Sequence, residues 1–466
     1  MSHITYTAEK PAELFAVISA PHLHGWDASY MRYRYRTLFV LSLLLFAYRL
    51  FRNKSKDMAQ DGVTDQVYEW PTGKKLIVYH TNWATYGRNF QIKDLPIQYI
   101  SDINYAFFDL RPSPNPPHHL VPTSTDAWAD TDKRYTNPDE GVPPPDSWNE
   151  TPENKGPWGN FGQLLKLKKL GLKFNVGLSV GGWTLSKGFS DAVKGERERE
   201  AFVEGILECF ERWPGVFNRV DIDWEYISPP NQNYGAPGNI VRAEDPQNFG
   251  AFLRLLRHRL NATGRSHFEI SACVTGDPAK MDVLPLREMV QYLDTINVMT
   301  YDFASSAWGP CPAGHQTNLI STPYAPLSVS RSVEAYLSRG VPPHKLVIGA
   351  AAYSRGFANT TGLGAPSSGV VEDRSWEDGV CDYKTLPRPG AVEYWDEQAQ
   401  ASYSYDPHRR ILNSYDTPQS IRAKCRYVWE RGLKGVIVWE SSGDVPVTNE
   451  RSLMRALWEG LARDPR

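Results

Sequence analysis

Cysteine is scarce in this chain: its 466 residues include only five, and these are widely scattered. No two of them form a CxxC motif and none is spaced with a histidine as zinc ligands are, so we expect no metal site and no cofactor. Cys311 and Cys381 lie in Pro- and Gly-rich contexts and could form a disulfide. Because the count is odd, at least one thiol stays free unless it pairs with another molecule.

An excess of positive charge is also missing. The chain has 51 Lys and Arg residues and 53 Asp and Glu residues, which gives a formal net charge of −2. Such a chain has no general attraction for nucleic acid or for an anionic membrane surface, so we expect neither as its main partner. Internal repeats and appended binding modules are absent, and we expect a monomer.

The chain also lacks an uninterrupted apolar run of membrane-spanning length. The run at residues 37–51 is broken by Arg49, and its core of about a dozen residues is shorter than the ~20 that a span needs. Flanking basic residues favour a signal peptide, with a short signal anchor or a buried helix as the alternatives. Residues 1–36 are predicted to be a disordered tail, too long for an ordinary n-region unless translation starts at Met31. Residues 52–72 are predicted to be a polar stem.

The N-terminal segment therefore predicts entry into the secretory pathway. Secretion, or a membrane tether through residues 37–51, would follow. Three N-glycosylation sequons agree with passage through a secretory lumen, although such triplets also arise by chance. They begin at Asn149, Asn261 and Asn359. We expect a secreted or cell-surface glycoprotein.

Acidic side chains, by contrast, are concentrated in one short stretch. Within Arg219–Tyr226, three acids alternate with apolar residues: Asp221, Asp223 and Glu225, here called the acid row. In an extended strand, alternate side chains share a face and lie roughly 7 Å apart. Burying three like charges is costly, so at least one pKa should rise, which keeps a general acid protonated near neutral pH. The acid row therefore predicts an acid–base catalytic site.

Strand-like and helix-like segments alternate along the rest of the chain, which predicts an α/β fold with a parallel sheet. Eight strand candidates in order indicate a closed (β/α)8 TIM barrel, whose active site lies at the C-terminal ends of its strands. We assign residues 73–466 to this barrel. The strand candidates are Leu76–His80, Asp102–Phe108, Lys173–Val180, Arg219–Glu225, Phe268–Thr275, Thr295–Tyr301, Lys345–Tyr353 and Gly435–Glu440. The helix candidates include Glu198–Arg212, Pro246–Leu260, Ser330–Ser338 and Gln419–Arg431.

Two segments are longer than ordinary connections. Leu110–Pro157 is rich in Pro, Asp and Asn and is predicted to be a surface loop after the second strand. Residues 357–411, between the seventh strand and its helix, are aromatic and Gly-rich and predict a small α+β insertion beside the cleft. The 15 Trp and 24 Tyr residues of the chain supply flat apolar rings with a polar edge, which suit stacking on sugars.

Several motifs at the predicted strand ends together resemble glycoside hydrolase family 18, the chitinases and their relatives. The resemblance covers about residues 73–460. Its motifs are GLSVGGW at 177–183, NRVDIDWE at 218–225, MTYD at 299–302, YSRG at 353–356 and WE at 439–440. Tyr79, Trp83 and Phe107 also match the family. Each motif alone is weak evidence for this family, but the occurrence of all of them in order at the predicted strand ends is specific.

This resemblance implies a chitinase, endo- or exo-acting, that cleaves β-1,4 links between N-acetylglucosamine units with retention of configuration. In this family the substrate assists, because its own 2-acetamido carbonyl attacks the anomeric carbon. Glu225 would then be the acid on the leaving oxygen. Asp223 would hold the acetamido N–H, Asp221 would share a proton with Asp223, and Tyr301 would orient the acetamido carbonyl.

Other residues carried over from the family would contact the sugars of chitin or chito-oligosaccharides. Asp302, Tyr353 and Arg355 would grip sugar hydroxyls, and Trp439 would lie beneath the distorted sugar. The full set of expected substrate-binding residues is Tyr79, Trp83, Phe107, Ser179, Gly182, Trp183, Met299, Asp302, Tyr353, Arg355 and Trp439.

Two residues depart from the family pattern. Asn218 stands where the first Asp is usual, and Arg219 stands where Gly is usual. Asn218 lowers the local negative charge by one, which should ease ionisation of Asp221. Arg219 would lie on the face of the acid row where the strand begins, and it would either pair with Asp221 or reach solvent.

Two alternatives to a chitinase stay open. An endo-β-N-acetylglucosaminidase acting on N-glycans would share the acid and the barrel, and a catalytically weak barrel could serve as a chitin-binding lectin. The presence of Glu225 argues against the lectin, because such relatives typically lose this glutamate. The long insertion and the supply of aromatic residues favour a groove for a linear polymer.

Overall fold

The computed structural model describes residues 65–149 and 156–463. All eight predicted barrel strands and all four predicted helices are present in it, with ends displaced by a few residues. The strands are β1 (Lys75–Thr81), β2 (Asp102–Pro112), β3 (Leu120–Ser124), β4 (Asn175–Gly181), β5 (Arg219–Asp223), β6 (Glu269–Thr275), β7 (Thr295–Met299), β8 (Cys311–Pro312), β9 (Leu346–Ala351), β10 (Tyr353–Phe357), β11 (Pro366–Ser367), β12 (Val380–Asp382), β13 (Val392–Asp396), β14 (Ala401–Asp406), β15 (Ile411–Tyr415) and β16 (Gly435–Trp439). The α-helices are α1 (Gly159–Lys169), α2 (Phe189–Val193), α3 (Glu196–Arg212), α4 (Asp245–Ala262), α5 (Leu286–Tyr292), α6 (Val329–Ser338), α7 (Pro418–Glu430) and α8 (Leu453–Leu461).

Eight parallel strands close into a barrel. Strand β1 pairs with both β2 and β16, and the order between them is β16-β9-β7-β6-β5-β4-β2. These strands are buried over most of their length, because helices cover their outer faces and their inner side chains fill the barrel. The predicted (β/α)8 TIM barrel is confirmed.

The helices cover the barrel with one apolar face each, as α3 illustrates. Phe202, Ile206 and Phe210 are buried there, and their spacing of four residues marks one side of a helix. Glu196 lies in the first turn, where a negative charge is favourable beside the N-terminal end of the helix dipole.

The segment at 110–157 is not only a surface loop, as its composition predicts. Strand β2 continues into it and pairs antiparallel with β3. Strand β3 lies against α3, where a Cβ added to Gly205 would be 2.8 Å from Pro122 and 2.9 Å from Val121. The absent side chain of Gly205 therefore permits this close approach. Such a contact between distant residues is not visible in the composition of the segment.

The insertion between β9 and α7 contains a five-stranded antiparallel sheet, in the order β12-β10-β15-β14-β13. Its strands run from Tyr353 to Tyr415, beyond the predicted limits of 357–411, because β10 follows β9 almost directly. The helical part of this described region is a 3-10 turn at Tyr383–Thr385, so the insertion is mainly β. Cross-strand partners Tyr394 and Tyr403 stack with ring centroids 5.3 Å apart, which stabilises the sheet.

Four charged side chains fill the barrel where its strands begin: Lys75, Asp102, Arg219 and Glu269. Arg219 Nη1 lies 2.9 Å from Asp102 Oδ1, and its Nε lies 2.8 Å from Glu269 Oε2. Lys75 Nζ lies 3.1 Å and 2.9 Å from the same two oxygens. Both expectations for Arg219 are therefore wrong, since it is fully buried and its ion pairs reach two other strands. Two cations and two carboxylates balance, which makes their joint burial tolerable.

The end of the predicted stem contacts the barrel. The Tyr68 backbone N–H donates to Asn175 Oδ1 at 2.7 Å, and Trp70 is buried in the main apolar cluster. Asn218 donates to Asn175 Oδ1 at 3.0 Å and to the Gln66 carbonyl at 3.2 Å. The folded unit therefore begins before residue 73, because two aromatic side chains of this stretch pack on the core.

The other N-terminal predictions concern residues 1–64. The tail, the apolar run at 37–51 and most of the stem lie outside the described residues. Across 65–149 and 156–463, no helix has both the length and the hydropathy required to cross a membrane.

The suggested disulfide is wrong. All five cysteines lie in the described ranges, and all five are free. Cys381 is in the insertion sheet, where its thiol donates to the Asp373 carbonyl at 3.2 Å. Cys311 is on the separate two-stranded sheet of β8 and β11, with its sulfur 3.7 Å from Ser367 Oγ.

Candidate active site

The acid row lies at the C-terminal end of β5. Asp221 and Asp223 are buried members of the strand, whereas Glu225 follows two residues after its end and is partly exposed. The strand is thus shorter than the predicted Arg219–Glu225. Two side chains hold the turn by hydrogen bonds to the Glu225 backbone. Its N–H donates to Ser186 Oγ at 2.9 Å, and its carbonyl accepts from Asn239 Nδ2 at 2.8 Å.

Asp221 is held by donors from four other strands. The hydroxyls of Tyr79 and Ser179 donate to Oδ2 at 2.8 and 2.9 Å. Ser271 Oγ and Asn297 Nδ2 donate to Oδ1 at 2.6 and 3.2 Å. Asp221 is the acceptor in every one of these bonds, which is the hydrogen-bonding pattern of a carboxylate.

Asp223 has a different environment. It is buried, and its Oδ1 has no hydrogen-bond partner. Burial raises the pKa of Asp223 well above its usual range, and the charges of Glu225 and Asp221 raise it further. Burial and the neighbouring charges thus favour the protonated form of Asp223, and one of its oxygens is open to a ligand.

Glu225 is the outermost member of the acid row. Burial of its carboxyl raises the pKa of Glu225 to about 7, against a hydrogen bond with Tyr226, and the charge of Asp302 adds to the rise. A carboxyl with this pKa can both donate and accept a proton near neutral pH.

A second polar cluster lies at the ends of β7 and β9. Asp302 accepts from the Tyr353 hydroxyl at 2.6 Å, and it accepts two bonds from Arg355, at 2.7 Å from Nε and 2.9 Å from Nη2. The Asp302 backbone has a φ of 58°, an unfavourable conformation for a residue other than glycine. Strained residues of this kind concentrate at functional sites. Next to it, burial raises the pKa of the Tyr301 hydroxyl well above its usual range, so it stays protonated.

Aromatic rings form the floor of the site. Trp439, the last residue of β16, stacks on Phe107 with ring centroids 5.7 Å apart and meets the edge of Tyr79 at 5.1 Å. Trp83 and Trp183 are each nearly half exposed at the margin, with 41% and 49% of their surface accessible. These two rings offer flat faces that no protein group covers fully.

Three residues expected to bind substrate lie beneath this surface. Ser179 is fully buried and bonds to Asp221, and Tyr79 is almost fully buried beside it. Gly182 has a φ of 94°, and a Cβ there would be 2.7 Å from the Phe107 ring. These residues shape the site from below, and Ser179 has no accessible surface for a sugar. Met299 is likewise buried in the apolar cluster under the floor.

The sequence reasoning missed several residues that contact the acid row, including Asn239 at the Glu225 carbonyl. Ser271, Cys273 and Asn297 are inward-facing polar residues on β6 and β7, and Ser186 follows β4. Ser271 and Cys273 alternate on a strand that is otherwise mostly apolar. Polar residues at inward positions of buried strands are the signal that would have found them.

Comparisons with known proteins agree with this arrangement. A family model described as glycosyl hydrolases family 18 matches residues 75–444. Endochitinase 1 of Metarhizium robertsii is 37% identical over 79% of this chain and 81% of its own length. Chitinase 1 of Aphanocladium album is 35% identical over 78% of this chain and 80% of its own. The catalytic domain of chitinase B from Arthrobacter TAD20 has a TM-score of 0.73 and 28% identity, covering 86% of this chain and 97% of that one.

The matched region begins at the first residue of β1 and extends beyond β16, so it contains the whole barrel, the insertion and the acid row. The fold, the site and the sequence similarity therefore lead to one conclusion. This chain belongs to glycosyl hydrolases family 18 and is a glycoside hydrolase.

Proposed function

We propose that this protein is a chitinase, which hydrolyses β-1,4 links between N-acetylglucosamine units of chitin or chito-oligosaccharides. One observation carries the proposal. Glu225, with its pKa raised to about 7, lies at the open end of a row in which Asp223 has a raised pKa and an unpartnered oxygen. A group that donates one proton and a neighbour that can accept an amide N–H suit an N-acetylated sugar. The chitinase names of the relatives support the same choice.

In the proposed first step, Glu225 gives its proton to the glycosidic oxygen. The electron pair of the C1–O bond goes to that leaving oxygen, and the substrate's acetamido carbonyl oxygen forms a new bond to C1. The product of this step is an oxazolinium ion. No carboxylate acts as the nucleophile, so this is the substrate-assisted exception to the usual two-carboxylate scheme.

Asp223 and Asp221 offset the positive charge that develops on the oxazolinium ring. In this step the two carboxyls share one proton. With the shared proton towards Asp221, Asp223 accepts the acetamido N–H and presents negative charge to the ring. The open oxygen of Asp223 supports its role as the acceptor.

Tyr301 orients the attacking group, because its protonated hydroxyl donates to the acetamido carbonyl. Asp302, Tyr353 and Arg355 bind sugar hydroxyls as one prearranged cluster, and Trp439 stacks beneath the sugar at the cleaved bond. Water then attacks C1, the bond between C1 and the acetamido oxygen breaks so that the amide is restored, and Glu225, now a carboxylate, takes a proton from the water. Two displacements at C1 give net retention of configuration.

Hydrolysis of a chitin hexamer tests the proposed function. We expect shorter chito-oligosaccharides, identified by mass spectrometry. A spread of product sizes indicates internal cutting, and dimers released alone indicate action from a chain end. If the hexamer stays intact while an N-glycan is cleaved between its two core N-acetylglucosamine units, the protein is instead an endo-β-N-acetylglucosaminidase and the proposal is wrong.

The pH dependence of the reaction follows from Glu225. Burial raises its pKa to about 7, so the active, protonated form is present below that pH and is lost as the pH rises through it. We therefore expect kcat/KM on a fluorogenic chito-oligosaccharide to fall to half its maximum near pH 7, because this parameter reports the free enzyme. A half-maximum at about pH 4.3, the ordinary value for glutamate, would contradict the assignment.

We further propose that the protein acts as a secreted or surface-tethered monomer that reaches chitin outside the cell. The basic-flanked apolar run at 37–51 supports entry into the secretory pathway. The sequons at Asn261 and Asn359 support it too, since both side chains are exposed and accessible to a glycan.

A further inference from the structure

Cys273 has contacts that set it apart from the other four cysteines. It points from β6 into the barrel, in the buried cluster that also contains Tyr79, Phe107 and Met299. Its sulfur lies 2.8 Å from the Tyr79 hydroxyl oxygen and 3.9 Å from Asp221 Oδ2. The thiol therefore lies directly beneath the proposed reaction centre.

Counting protons shows which group donates in the contact between Cys273 and Tyr79. The Tyr79 hydroxyl has one proton, and it donates that proton to Asp221 Oδ2 at 2.8 Å. A bond to a carboxylate is stronger than a bond to a neutral sulfur, so the proton stays on this path. The Tyr79 oxygen must then be the acceptor from Cys273.

The thiol is able to donate, because burial raises the pKa of Cys273 well above its usual range and the charges of Asp221 and Asp223 raise it further. It is therefore protonated throughout the working pH range. Its single proton has a much nearer acceptor in Tyr79 than in Asp221.

We propose that Cys273 is a positioning residue for the glycosidase reaction: its S–H donates to the Tyr79 hydroxyl and thereby directs the Tyr79 proton onto Asp221. The three groups form a chain from thiol to hydroxyl to carboxylate. In such chains each bond polarises the next, so the thiol strengthens the bond that Asp221 receives. Cys273 thereby helps to fix the position of the Asp221 carboxyl group beside Asp223.

The ionisable groups around the thiol determine the pH range in which its effect on the reaction can be measured. Tyr79, Asp221, Asp223, Glu225 and Tyr301 all interact with it electrostatically. Tyr79 and Tyr301 remain protonated, because burial raises the pKa of each well above its usual range. The limb of the pH profile near pH 7 therefore reports Glu225, and the variants are compared by their kcat below that limb.

The test compares Cys273→Ala with Cys273→Ser. Losing the donor in Cys273→Ala should lower kcat about 3- to 10-fold with little change in KM, the effect of one neutral hydrogen bond. Cys273→Ser keeps a donor and should stay near the wild-type kcat. Cys273→Val has a side chain of similar volume but no hydrogen-bond donor. It therefore replaces Cys273→Ala in the comparison if the alanine variant is unstable.

Two controls separate positioning from simple packing. Cys425→Ala removes an equally buried thiol from α7 on the outside of the barrel, and it should leave kcat unchanged. In a Tyr79→Phe background, Cys273→Ala should lower kcat no further, because the hydroxyl that accepts from the thiol is gone.

An unchanged kcat in Cys273→Ala, or an equal loss of kcat with and without the Tyr79 hydroxyl, would overturn the inference. It relies on the proposed function for its assay, but the two fail differently. A wild-type protein that does not cleave the hexamer refutes the function, whereas an active wild type with an unaltered kcat in Cys273→Ala refutes this inference alone.

Discussion

Glu225→Gln is expected to lower kcat on fluorogenic chito-oligosaccharides by about 10³-fold or more. The glutamine side chain has nearly the same shape as glutamate but holds no transferable proton. The leaving oxygen would then depart as a high-energy alkoxide, and no base would activate the incoming water. Substrate binding should persist, because the aromatic floor and the cluster around Asp302 are untouched.

Turnover and calorimetric binding of a chitin oligomer measure these two effects separately. Glu440→Gln is the matched control, since Glu440 is a buried carboxylate just after β16 whose partners are Arg88 Nη1 at 3.2 Å and the backbone N–H and hydroxyl of Ser442. We expect this control to retain activity within about tenfold, the range of a lost charged hydrogen bond. Near-normal turnover by Glu225→Gln would refute its assignment as the acid.

Sugars without a 2-acetamido group are expected to be inert. Cello-oligosaccharides have the same β-1,4 backbone and can stack on the same rings, but they have a hydroxyl where the attacking amide should be. No carboxylate of the acid row is assigned to replace that nucleophile, because Asp221 is held by four donors and Asp223 is proposed to accept the N–H. Loss of the intramolecular attack removes a large effective concentration of nucleophile.

Reducing-sugar release from cellohexaose, beside the N-acetylated chitin hexamer, measures this requirement. Chitosan hexamer, which lacks only the acetyl groups, is the closest control and should also resist cleavage. Sustained hydrolysis of either unacetylated polymer would show that an enzyme group can act as the nucleophile, and substrate assistance would be wrong.

Much of the barrel can be predicted from this sequence because its strands are short apolar runs separated by helical patterns. The acid row is equally visible, since three acids at alternate positions have no reason to occupy a buried strand other than chemistry. The strand end is less predictable: β5 stops at Asp223, and Glu225 lies in a turn held by Ser186 and Asn239. Those partners come from other parts of the chain and have no local signal.

Contacts between strands account for the remaining errors. Arg219 pairs with Asp102 and Glu269, which are remote in sequence and adjacent only because the barrel closes. The role of Cys273 likewise depends on Tyr79, which comes from a strand on another side of the pore. Alternation along one strand predicts which way a side chain points, but it does not predict which residues of other strands that side chain contacts.

The central claim is that the substrate's own amide attacks the anomeric carbon before water does. The configuration of the newly formed reducing end tests it most directly, by proton NMR during the first minutes of hexamer hydrolysis. Two displacements predict that the β-anomer appears first and that the α-anomer grows only by mutarotation. Initial release of the α-anomer would mean a single direct attack by water, and it would contradict the mechanism.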